Sequence, residues 1–86
     1  MSWQKKDIEP ILVTLQPGAK TETDLPHMGE EFGYVLSGAV TLELGGKNYR
    51  VRKGDSFSFK PSQQHDLKNT GKTPATVLWV CTPPNF

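Results

Sequence analysis

The punctuation of this chain constrains its fold more than any other feature. Turns bearing glycine or proline recur at short intervals: Gln16-Pro17-Gly18, Ser37-Gly38, Gly45-Gly46, Lys53-Gly54-Asp55 and Asn69-Thr70-Gly71. Glycine reaches positive φ without steric cost and proline pre-sets the turn, so each cluster ends whatever precedes it. Between the turns no stretch repeats its apolar residues at helical spacing. The segments alternate instead, with the two-residue period of a strand. Strands are expected at residues 11–15, 31–36, 40–44, 47–52, 56–59, 65–68 and 76–81. Gly45-Gly46 reads as a two-residue hairpin loop. It returns the chain with Tyr49 and Val51 facing in and Asn48, Arg50 and Arg52 facing out. Residues 76–81 are apolar on both faces, which predicts a central strand. Residues 19–26 are polar and read as a loop or a weak edge strand, since Pro26 cannot donate to a central ladder. Many short strands with such turns mean an all-β sandwich or barrel.

The chain has 86 residues and reads as one domain, with an arm at 1–10, a body at 11–82 and a tail at 83–86. Folding a chain this short buries only about 60% of its surface, so a partner subunit would help. Ten basic and nine acidic residues give a net charge of +1 with no basic block. That argues against a nucleic-acid surface of its own. Cys81 is the single cysteine, so no intramolecular disulfide forms, and a reducing, cytoplasmic setting is expected. The first residues are charged and lead into no signal-like apolar region. The apolar runs are too short to span a bilayer, so no membrane role is expected.

The chemistry-bearing residues are few. His27 stands four residues before Glu31, and His65 follows far downstream. In a small barrel the three could meet. Two imidazoles and a carboxylate suit Fe(II), Mn, Ni or Zn with positions left open for water or ligand. The same residues could instead form a hydrogen-bonded polar cluster without metal, able to fix a small polar ligand. Val35, Phe57, Phe59, Leu67 and Trp79 would then wall a ligand cavity, or serve simply as core. Gly33 shares the face of Glu31 and would leave open volume there. Glu30 points the other way. Asp55 and Asn69 read as turn residues and Cys81 as a small buried side chain. Phe32, Tyr34 and Leu36 line up on the outer face, which predicts a homodimer interface or a cover supplied by Trp3 and Ile8.

Two spaced motifs carry a family resemblance. His27-x3-Glu31-x6-Gly38 resembles the second half of the first cupin motif, and Gly54-x10-His65-x3-Asn69 resembles the second. More narrowly, residues 9–18, 27–38, 78–80 and 82–86 resemble the C-terminal cupin domain of bacterial helix-turn-helix transcriptional regulators. The resemblance implies a single small jelly-roll β-barrel that senses a small molecule without turning it over. The alternative it leaves open is a small metal-dependent enzyme of dioxygenase or isomerase type using His27, Glu31 and His65. The chain departs from the metal-binding pattern, because Leu25 occupies the place of that pattern's first histidine. Lys60 and Ser62 stand where the second motif carries proline and glycine, with Pro61 displaced by one. No helical DNA-binding segment precedes the cupin-like region, so the chain reads as a stand-alone relative or as the sensor half of a longer protein.

Overall fold

A computed structural model describes residues 8–21, 29–60 and 62–82. The described chain forms seven strands: β1 (Glu9–Leu15), β2 (Glu30–Ser37), β3 (Ala39–Leu44), β4 (Lys47–Arg52), β5 (Ser56–Phe59), β6 (His65–Lys68) and β7 (Ala75–Thr82). All seven of the expected segments are strands. β1 starts earlier than expected, because its ladder with β7 continues to the pair Glu9 and Cys81. The strands pair into two sheets, ordered β1-β7-β2-β5 and β4-β3-β6. The two sheets face one another as a sandwich, and the strand ladders among the described residues do not run on from one sheet to the other. Among the described residues no helix is long and apolar enough to cross a membrane.

Alternation places the core. From the first sheet, Val35, Val77 and Trp79 point inward; from the second, Val40, Leu42, Val51 and Leu67 meet them. β7 lies between β1 and β2, in the central place its two apolar faces predict. Gly45 and Gly46 both take positive φ, 58° and 83°, the pairing a two-residue hairpin of right-handed twist requires. Their hairpin sets β4 against β3, with Leu42 opposite Tyr49 and Val40 opposite Val51.

The two long margins of the sandwich differ. On one, residues 18–21 run beside β6 as a short edge: Gly18 N–H donates to the Asn69 carbonyl at 2.8 Å and Thr21 N–H to the Leu67 carbonyl at 2.9 Å. Asn69 is a clasp here, beyond the turn role expected of it. Its side-chain amide donates to the Leu15 carbonyl at 2.9 Å and to the Thr73 carbonyl at 2.8 Å. Its Oδ1 accepts from Gly71 N–H at 2.9 Å. On the other margin β4 and β5 are each paired on one side only. The turn between them is pinned to β2, where Gly54 N–H donates to the Val35 carbonyl at 2.8 Å. Beyond that pin no described strand pairs across this margin.

Candidate functional site

The site is a polar cluster bridging the two sheets. Strand parity turns Glu31 of β2 and Trp79 of β7 to the interior of the first sheet. Register sets Glu31 between Cys81 and Phe59, and Gly33 between Trp79 and Phe57. His65 opens β6 in the facing sheet, opposite Leu44. Glu31, His65 and Trp79 are all buried. Glu31 Oε2 lies 2.7 Å from His65 Nε2. Trp79 Nε1 donates to Glu31 Oε1 at 2.6 Å. His65 Nδ1 lies 3.0 Å from the Gln63 carbonyl oxygen. That carbonyl can only accept, so Nδ1 carries a proton and Nε2 is the nitrogen that meets the carboxylate. The two polar groups are buried against each other, each within reach of the other's polar atom.

Aromatic rings cover the cluster. Phe59 meets the His65 ring edge-on, with centroids 5.1 Å apart. Phe57 meets Trp79 likewise at 6.4 Å. The two phenyl rings lie 6.2 Å apart and only 18° from parallel. The open volume expected at Gly33 is filled, because the Phe57 ring sits where a Cβ at that position would go. Glycine is needed there for the ring to approach the backbone of β2. On the far side of the rings the open margin forms a cleft of about 410 Å³. Leu42, Leu44, Tyr49, Val51, Phe57 and Phe59 make its apolar walls, and Arg50, Asp55, Ser56 and Ser58 complete the lining. Tyr49 faces in as expected but stays 47% exposed, because it stands on an edge strand at the mouth.

The structure therefore brings Glu31 and His65 together. His27 and Leu25 lie outside the described residues. Phe57 and Phe59 separate the cleft from the cluster. Val35, Leu67 and Trp79 are buried in the core, and none of the three lines this cleft. Sequence reasoning missed that Trp79 acts as a donor to Glu31. Its signal was an indole inside a β-branched strand, since a buried indole N–H needs an acceptor. Among the described residues no group of three or more His, Cys, Asp or Glu side chains is arranged to hold a metal ion. The two donors present are nonetheless aimed. The Gln63 carbonyl fixes the imidazole and Trp79 fixes the carboxylate, which is how outer partners orient metal ligands.

Residues 11–81 match the Cupin_2 family, described as the cupin domain. The chain is a cupin. Among curated relatives, this cupin is 33% identical over 76 residues to the HTH-type transcriptional regulator PuuR of Escherichia coli K12, covering 88% of this chain and 41% of PuuR. The cupin thus spans less than half the length of that relative. Among solved structures it resembles the Cupin_2 domain of an XRE family transcriptional regulator from Enterobacter cloacae, with a TM-score of 0.81, 20% identity and coverage of 92% of this chain and 84% of that one. It also resembles a sugar phosphate isomerase of the cupin superfamily from Silicibacter pomeroyi, with a TM-score of 0.81, 31% identity and coverage of 94% and 54%. A cupin related to regulator cupin domains is the common ground of the match to PuuR and the shared fold.

Proposed function

We propose that this chain is a small-molecule-binding domain of the sensing kind, belonging to or related to a bacterial transcriptional regulator and built on the jelly-roll plan. The observation that supports it best is the division of the interior. Glu31 contacts both His65 and Trp79 behind a wall of phenyl rings, while a cleft with Leu42, Leu44, Val51, Phe57 and Phe59 in its walls stands open beside them. Such a cleft binds, and among the described residues its lining includes no imidazole or thiol, and its one carboxylate, Asp55, holds the turn through Arg52 N–H. The domain takes up a ligand without turning it over and does not grip DNA alone. Native mass spectrometry of untagged protein is expected to show a carried organic mass, or an added one retained unchanged. Turnover of a bound compound, or tight sequence-specific DNA binding by this chain, sinks the reading.

A second reading has its own observation. Glu31 Oε2 and His65 Nε2 are presented side by side and held by outer partners. With His27 they would hold Fe(II), Mn, Ni or Zn, which supplies Lewis-acid polarisation of a bound oxygen. The resemblance to a sugar phosphate isomerase supports this reading. It expects one transition metal per chain in untagged protein, lost in His65→Ala. Trace metal, with no thermal shift on adding Fe(II) or Mn(II), eliminates it.

The partner proposed for the outer face of the first sheet is a second copy. Pro10, Val80 and Phe32 form one cross-strand row there, and Leu12, Leu78 and Tyr34 the next. Leu12 is 67% exposed, Phe32 40% and Leu36 42%. Contiguous apolar surface of this kind marks interaction sites.

A further inference from the structure

We infer that the ligand of the cleft is a neutral, flat, aromatic-sized molecule carrying one polar group, held between the Phe57–Phe59 pair and the Tyr49 side. The inference rests on the reading of the chain as a ligand-binding domain and adds the class of ligand. Three observations carry it.

The first is shape. One wall is a pair of phenyl rings within 18° of parallel, at centroids 6.2 Å apart. Leu42, Leu44 and Val51 come from the facing sheet, so the space between the walls is a slot. A planar ring stacks or meets such rings edge-on with a gain beyond its buried area, whereas a puckered ring does not. The slot, at about 410 Å³, is at the small end of ordinary ligand sites, which suits a single or fused ring.

The second is charge. Among the described residues the charged ones that line the slot are Arg50 and Asp55, one of each sign, so its lining carries no net charge. Arg50 belongs to the outward set of β4 and reaches Thr70 Oγ1 at 3.4 Å. Asp55 Oδ2 accepts from Arg52 N–H at 3.0 Å. Glu31 and His65 face each other behind the rings. A charged ligand would shed its water on entering and meet a lining with no net counter-charge, the two charged groups offsetting one another.

The third is the polar handle. Tyr49 lines the slot, and its hydroxyl makes no hydrogen bond among the described residues. Ser56 and Ser58 also line the slot but lie on the face of β5 opposite the phenyl rings, so the Tyr49 hydroxyl is the donor or acceptor that a ligand against those rings would meet.

The test is an amide chemical-shift titration of the full chain with matched probes. The probes are p-cresol, 4-methylcyclohexanol (the same skeleton without planarity) and 4-hydroxybenzoate (the same ring with a charge). Glucose, glutamine and succinate form a polar panel. p-Cresol is expected to shift β4 and β5 amides saturably, at least about tenfold more tightly than the other two ring probes. Tyr49→Phe should weaken p-cresol roughly two- to tenfold, as loss of one hydrogen bond predicts. Leu44→Trp, which plugs the slot, should abolish the shifts. Equal affinity for 4-methylcyclohexanol or 4-hydroxybenzoate overturns the class, as does binding that survives Leu44→Trp in a protein whose spectrum remains folded. Binding of the polar panel but not of p-cresol overturns the class and leaves the ligand-binding reading standing. Binding of nothing at all overturns both.

Discussion

The buried residues that matter most act as a set. Glu31 gives one oxygen to His65 and the other to Trp79, so its removal strands an imidazole and an indole N–H together. Glu31→Ala and His65→Ala are each expected to cost about 3–5 kcal/mol in denaturant unfolding, because each leaves a buried partner uncompensated. In a double-mutant cycle the two losses should fall well short of additive. Losses that simply sum would mean that the short contact contributes nothing to the folded state. Asn69 is the other such residue. Asn69→Ala opens three hydrogen bonds at the closed margin and should cost about 2–4 kcal/mol. Asn69→Asp should do little better, since a carboxylate keeps the acceptor for Gly71 N–H but cannot donate to two carbonyls. Read as sequence, Glu31 and His65 stood out by spacing, whereas Asn69 looked like one more turn residue. Thr73 and Gly71 belong to its own turn, but Leu15 lies on β1, and nothing local in the chain announces that Asn69 and Leu15 meet.

At the scale of elements, β5 shows how neighbours decide a conformation. It has four residues and one hydrogen-bonded neighbour, yet Phe57 and Phe59 separate the cleft from the polar cluster. Phe57 holds its place because β2 offers Gly33 beneath it. Gly33→Ala should therefore push the ring toward the cleft and destabilise by about 1–3 kcal/mol, the usual cost of overfilling an interior. Gly33→Ala with Phe57→Leu should recover most of that loss, measured by thermal or denaturant unfolding. An unrescued double variant would show that the glycine serves the backbone and not the ring. The seven strands were legible because alternation and turn chemistry are local. Their partition into two sheets was not, since it depends on which edges meet across long loops. The filling of the Gly33 hollow was not legible either: a missing side chain looks the same whether a ligand or a neighbouring ring takes its place. Tyr49 was read as inward, and it is; only the sheet order shows that inward on β4 means the mouth of a cleft.

For the whole molecule, the two outer faces differ in kind. The first sheet presents Leu12, Phe32, Tyr34 and Leu36, and the second presents Arg50, Arg52 and Lys68. A charge placed in the apolar face should act on association and little else. Tyr34→Arg is expected to leave the far-ultraviolet spectrum unchanged and to convert a dimer to a monomer in light scattering. A wild-type protein already monomeric at high concentration would rule out the second copy as the occupant of that face. The order of strands carries one more consequence, for how the chain comes into being. β7, the middle of the first sheet, is the last of the seven strands to leave the ribosome, and it must slide between β1 and β2, made long before it. Until then those two strands have no shared ladder, and their apolar sides face water. The β3–β4 hairpin can close meanwhile. A nascent chain stalled before β7 is therefore half a protein with an open seam, and that seam is where a chaperone would be needed most.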